Sequence, residues 1–270
     1  MDPYIKGNQE LWNEWADINY HSDFYDVAGF VAHPINFPEG GIIRAGVGDV
    51  AGKSLLHLQC HFGKDTLRFA LLGAHVTGID FSEQAIGYAR ELANRMQLPA
   101  TFIQTALYDL PQHLTEQFDV VFTSQGVLGW LPDLQRWGQI VAQFLKPGGT
   151  FFILEGHPTM LMFDEESAEL RLKYSYFHSD DPIVIEPHSG NYADPTATVT
   201  HREYSWQHSM ADIVNALLTH GLQIEYLREY PFMGWQGFPA LVQQDGEWSM
   251  PADQPQLPLS FAIRAHKPEV

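Results

Sequence analysis

The chain has 270 residues, 45% of them hydrophobic, and 15 Lys+Arg against 33 Asp+Glu give a net charge of -18. The length suits one α/β domain with an elaboration rather than two independent domains, and the hydrophobic fraction is ample for a core. A surface this acidic repels phosphate backbones and argues against DNA or bulk RNA as a substrate. The lone Cys60 allows no internal disulfide and fits a reducing compartment. Residues 1–19 carry acids and tryptophans rather than a basic start and an apolar core, so no signal peptide is expected. No run approaches the ~18 apolar residues of a membrane span. A cytoplasmic location is expected.

Residues 1–50 read as a cap ahead of a sheet, and residues 51–270 as the main domain. In the cap, 10–15 is predicted helical with Leu11, Trp12 and Trp15 on one face. The aromatic, acidic stretch 21–26 follows, and then Pro34, Pro38 and the Gly40–Gly41 pair break regular structure. The first strand is expected over 54–58 and the first helix over 64–72, stopped by Gly73. The second strand is 75–80. Ser82 then caps a helix whose apolar residues Ala85, Ile86, Ala89, Leu92, Ala93 and Met96 follow the helical period. Strands at 100–105 and 118–124, a helix over 132–144, a turn at 146–149 and a strand over 150–155 continue the alternation. Strands alternating with helices predict a parallel sheet covered on both faces.

After Glu155 the rhythm stops. Residues 156–208 read as an inserted lid, with a helix over 165–174 and two β-rich runs, 182–186 and 198–206, expected as an antiparallel hairpin. Ser209, with Asp212 three residues on, starts a helix that ends at Gly221. Strands are expected over 222–230 and 257–265.

The stretch 54–86 concentrates the functional signal. A strand, a tight turn, a helix and a second strand ending on Asp80 form a unit with a nucleotide-type cofactor site at its mouth. A carboxylate there can accept hydrogen bonds from both hydroxyls of a ribose, while backbone N–H groups of the turn approach the same ligand.

The motifs extend this. Leu55-Leu56-His57-Leu58-Gln59-Cys60-His61-Phe62-Gly63, Gly78-Ile79-Asp80-Phe81-Ser82, Phe118-Asp119-Val120-Val121 and Leu145-Lys146-Pro147-Gly148-Gly149 come in one order over roughly residues 50 to 155. That ordered set resembles the class I S-adenosylmethionine-dependent methyltransferases, and in particular an uncharacterised subgroup with the HLQCHFG form of the first motif. Departures are His57 where the family has an acid, and Gln59 and His61 where it has glycines; only Gly63 remains. The resemblance implies a Rossmann-like fold with a mostly parallel seven-stranded sheet whose final strand is antiparallel between its neighbours. It implies S-adenosylmethionine as cofactor, S-adenosylhomocysteine as product, and Asp80 as the ribose ligand. His57, Gln59, Cys60, His61 and Gly63 fall beside the cofactor, as does Phe81. Ala106 stands where an acid commonly accepts from the adenine amino group, Leu107 gives backbone and apolar contact, and Asp109 reads as a solvated loop acid.

The same resemblance puts Ser124 and Gln125 where the methionine end meets the acceptor. Tyr25, Trp12 and Trp130 are the aromatic residues suited to a positive sulfonium. His157 and His208 are candidate bases for a hydroxyl or amine acceptor. His57, Cys60 and His61 lack the further ligands that zinc needs, so no metal is expected. The expected partner is a small-molecule acceptor, with no nucleic acid and no membrane; a homodimer stays open. The leading reading is methyl transfer to that acceptor. Two others stand beside it: a non-catalytic cofactor-binding module serving a protein partner, and a nicotinamide oxidoreductase.

Overall fold

The computed structural model describes residues 2–35, 41–188 and 190–269. Pro38 and Gly40, expected to break regular structure, lie outside the described residues. The cap contains α1 (Pro3–His21), α2 (Val27–Ala32) and α3 (Ile42–Val47). α1 is far longer than the predicted 10–15. Asp2 caps it by accepting from Tyr4 N and Ile5 N, and Pro3 suits the first turn because it needs no N–H partner.

The central sheet is built from β1 (Ser54–His57), β2 (His75–Asp80), β3 (Ala100–Gln104), β4 (Phe118–Ser124) and β5 (Leu145–Gly156), separated by α4 (Lys64–Leu71), α5 (Glu83–Arg95) and α6 (Leu134–Phe144). After the insertion come α7 (Met210–Thr219) and β8 (Gln223–Tyr230); β12 (Ser260–His266) closes the sheet. The strand order is β3-β2-β1-β4-β5-β12-β8, with β12 antiparallel to both neighbours and β1 to β5 parallel. This is the seven-stranded arrangement the resemblance implies.

Sheet residues bury alternately to opposite sides. Leu56, Val121, Ile153 and Ile263 join one core under α6 and α7, with Trp137 and Ile213. Leu55, Val120, Phe122, Phe152 and Ala262 join the other with Ile43, Val47 and Phe69. Adjacent apolar residues are thus all used, as in a parallel sheet covered on both faces. The expected turn at 146–149 lies inside β5 as a bulge: Phe118 pairs with Leu145 but Val120 with Thr150, and Gly148 supplies the left-handed φ of 75°.

Within the insertion, β6 (Ile183–Ile185) and β7 (Glu203–Ser205) pair antiparallel. The predicted helix over 165–174 does not form. Asp164 N donates to Arg171 O and Lys173 N to Met162 O, closing a loop on a Phe163–Leu172 bridge. A further sheet of β9 (Phe232–Met233), β10 (Val242–Gln244) and β11 (Glu247–Ser249) lies between β8 and β12; its two- and three-residue strands carry no period to read. Met160, Met233, Phe238, Leu241, Met250 and Leu259 bury together beneath it.

Candidate active site

The order β3-β2-β1-β4-β5 reverses direction between β1 and β4, and ligands of open α/β sheets bind outside the strand ends at such a point. A cavity of about 1600 Å³ opens there. It exceeds the ~300–1000 Å³ of a typical small-ligand pocket, so two ligands fit side by side.

The turn after β1 is set by backbone conformation. Gln59 and His61 have φ of 53° and Gly63 of 74°. The two non-glycine residues therefore hold the left-handed backbone that glycine adopts freely, at a cost of roughly 1–2 kcal/mol each. Cys60 N donates to Ile79 O (2.8 Å) and Gln59 Nε2 to Val127 O (3.1 Å), fixing the turn. Gln59 Oε1, His57 Nε2 and His61 Nε2 are buried without a hydrogen-bond partner among the described residues, and all three residues line the cavity.

Asp80 is only 7% exposed. Its Oδ2 accepts from His61 N and its Oδ1 from Ser82 N, both at 2.9 Å, and no ion pair joins it to a cation among the described residues. Burial lifts its carboxyl to about 6 despite the hydrogen bonds that oppose the shift. Burial likewise drops His57 to about 4 and His61 to about 3, so both rings are neutral. The Cys60 thiol is pushed well up by burial and then by the Asp80 charge, which leaves it no nucleophile.

The cap reaches directly into this corner. Gln9 Nε2 donates to Phe81 O (2.6 Å), and Ser82 Oγ donates to Asn13 Oδ1 (2.8 Å) while accepting from Ala85 N to cap α5. Ala106 and Leu107 are buried in the cavity wall; Asp109 does not line it. Ser124 and Gln125 line the wall at the end of β4. Ser124 Oγ lies 3.4 Å from Asp65 Oδ2, whose carboxylate pairs with Arg68. Trp12 lies edge-on to His61 (5.4 Å between centroids) and Trp130 (5.2 Å), with the Tyr25 ring 5.4 Å from His61.

The two candidate bases part company. His157 does not line the cavity, and both its ring nitrogens are engaged: Nδ1 accepts from Thr159 N (3.1 Å) and Nε2 meets Glu229 Oε1 (2.9 Å). The placement expected for it at the site is therefore not what the structure shows. His208 does line the cavity. Its Nε2 donates to Leu131 O (2.7 Å), its ring stacks on His178 (4.8 Å), and burial drops it to about 4. Nδ1 is left as the acceptor of a neutral ring.

Several site residues had no sequence signal. Glu155, seen only as a strand end, is a buried carboxylate that takes Gly126 N (2.5 Å), Val127 N (2.7 Å), Leu128 N (3.1 Å) and its neighbour Gly156 N (2.7 Å). It shapes the loop carrying Gln125 and Trp130. Tyr192, from the insertion, bonds Tyr25 Oη (2.6 Å) and accepts from Asn19 (2.8 Å). Among the described residues no group of three or more His, Cys, Asp or Glu is placed to hold a metal, and no helix is long and apolar enough to cross a membrane.

Sheet order, reversal point and cavity together define the architecture of the class I S-adenosylmethionine-dependent methyltransferases. Residues 55–149 match the family model described as a methyltransferase domain. The ubiquinone biosynthesis O-methyltransferase of Bordetella pertussis is 31% identical over 156 residues, which cover 56% of this chain and 64% of that protein. The chain thus spans less than two thirds of the curated relative it matches. A solved S-adenosylmethionine-dependent methyltransferase from Mesorhizobium loti superposes with a TM-score of 0.56 at 19% identity, over 88% of this chain and 100% of that one. A structure of DhpI in complex with SAH gives 0.55 at 16% identity, over 99% and 98%.

Proposed function

We propose that this protein transfers a methyl group from S-adenosylmethionine to a small-molecule acceptor in the cytoplasm. The observation that carries the reading is Asp80: a buried carboxylate paired with no cation among the described residues, at the end of β2, inside a cavity at the sheet's reversal point. The residues around it fit the cofactor. Asp80 Oδ2 accepts from His61 N and Oδ1 from Ser82 N, and a carboxylate has further acceptor sites to offer ribose hydroxyls. Phe81, Ala106 and Leu107 supply the apolar slot for adenine.

The unpartnered Gln59 Oε1 and the rings of Trp12 and Tyr25 suit a cationic sulfonium. Ser124 and Gln125 floor the passage to the acceptor, and His208 Nδ1 offers a neutral acceptor for a proton. The bound cofactor supplies an already activated methyl, so the chain's task is alignment and exclusion of water. A cavity with room for a second ligand favours catalysis over the non-catalytic module.

Titration calorimetry with S-adenosylmethionine and S-adenosylhomocysteine, with NAD as control, tests the reading. Micromolar binding of the adenosyl ligands is expected, weakened ~100-fold or more in Asp80→Ala. Equal affinity in wild type and Asp80→Ala would sink the assignment of Asp80.

A further inference from the structure

The cavity continues beyond the cofactor corner into a chamber walled by the insertion and the β9–β11 sheet, with Trp235 and Trp248 among its lining. β7 forms one side. Side chains alternate along a strand: Glu203 and Ser205 line the cavity while Tyr204 does not, and Trp206 and Gln207 line it just past the strand. Ile183 and Ile185 of β6 stand in register beside Ser205 and Glu203. The wall is therefore an apolar strip bearing a short polar ladder.

That ladder has an excess of hydrogen-bond acceptors. Gln207 is 8% exposed; its Nε2 donates to Leu161 O (2.7 Å), which fixes the amide orientation and leaves Oε1 buried without a partner among the described residues. Glu165 Oε1 takes Lys173 Nζ (3.0 Å) and Tyr174 Oη (2.9 Å), but its Oε2 is also buried and unpartnered among the described residues. Glu203 is paired with no cation among the described residues. Of the cations near this wall, Lys173 is shared between Glu165 (3.0 Å) and Asp164 (3.2 Å), and Arg202 pairs with Glu186 (2.9 Å), so neither is left for Glu203. Two unpartnered acceptor oxygens and the Glu203 carboxylate in an aromatic chamber call for a ligand rich in N–H donors with positive charge.

We propose that the acceptor molecule carries a cationic nitrogen, held by Glu203, Glu165 and the Gln207 amide oxygen in this chamber. The inference rests on the methyltransferase reading above and specifies its substrate. The nitrogen is a recognition handle. A protonated nitrogen has no lone pair to attack a methyl group, so the nucleophile is a different atom of the same molecule, toward Ser124 and Gln125.

The test uses three phenols that share a ring and differ in charge: tyramine (cation), 4-ethylphenol (neutral) and 4-hydroxyphenylacetate (anion). Each is titrated at pH 8 into full-length protein saturated with S-adenosylhomocysteine. Tyramine is expected to bind at least about tenfold tighter than 4-ethylphenol, and 4-hydroxyphenylacetate weaker than either. Glu203→Gln is expected to erase the tyramine advantage and leave S-adenosylhomocysteine affinity unchanged, which also shows that the variant is folded. Equal binding of the three phenols, no binding of tyramine, or a tyramine preference that survives Glu203→Gln each overturns the handle and leaves the cofactor reading standing. Failure of wild type to bind S-adenosylhomocysteine overturns both.

Discussion

Asp80 links cofactor binding to pH. Its folded value of about 6 stands above the ordinary 3.8 because burial disfavours the charge. In the ligand-free protein, folding therefore holds the proton more tightly than the unfolded chain does. The stability this contributes is present below 3.8 and lost as pH rises through about 6. Ribose hydroxyls are donors, however, and prefer the carboxylate. Over the same window, affinity for S-adenosylhomocysteine is expected to rise with pH and level off above about 7, one unit past the Asp80 value. Calorimetry from pH 5 to 8 checks this, and Asp80→Asn should flatten the profile. A wild-type affinity independent of pH would remove Asp80 from the ribose.

Among the elements, the α1–β7 contact is the one most exposed to a single change. Asn8 is fully buried, accepts from Tyr204 N (2.9 Å) and donates to Tyr204 O (2.7 Å). It satisfies the outer edge of a two-stranded sheet too short to be stable alone. Asn8→Ala leaves both Tyr204 groups unpaired, and the expected cost is about 1–3 kcal/mol, read as a lower midpoint in urea unfolding. The sequence exposes the two sides of this contact unequally. β2 and β4 were legible to the residue, because buried runs such as FDVVFTS end at Gly, Pro and acidic turns. Gln59 and His61 looked like lost glycines, yet the backbone keeps the left-handed conformation, since the hydrogen bonds of Cys60 and Gln59 hold it. The segment 165–174 reads as helix in the sequence. Leu170 and Leu172 are 44% and 63% exposed, so a helix there has no apolar face to bury, and the loop pairing wins. Asn8 and Glu155 were invisible because their partners are backbone groups distant in sequence.

At the scale of the whole molecule, α1 joins parts that the sheet does not. On one side Gln9, Asn13 and Asp17 bond Phe81, Ser82 and Tyr88, around the end of β2. On the other, Asn8, Glu14 and Asn19 bond Tyr204, Thr200 and Tyr192 of the insertion. The two main sheet cores contain no α1 residue, and only Tyr20 joins the third, with Phe62, Ile86 and Phe102, so the sheet depends on α1 less than the cavity roof does. Removal of residues 1–21 is thus expected to leave a folded sheet, visible as a cooperative far-UV transition. It should weaken S-adenosylhomocysteine binding by at least about tenfold, roughly 1.4 kcal/mol. The insertion should also become open to protease, because its outer hydrogen bonds end on α1. In the intact protein the coupling runs the other way: a ligand seated at Asp80 stabilises α1 through Phe81 and Ser82, and α1 in turn holds the insertion. S-adenosylhomocysteine should therefore slow cleavage within residues 156–208 of the full chain and have no such effect on the truncated one. Equal cleavage of the full chain with and without ligand would show that the roof closes independently of the cofactor.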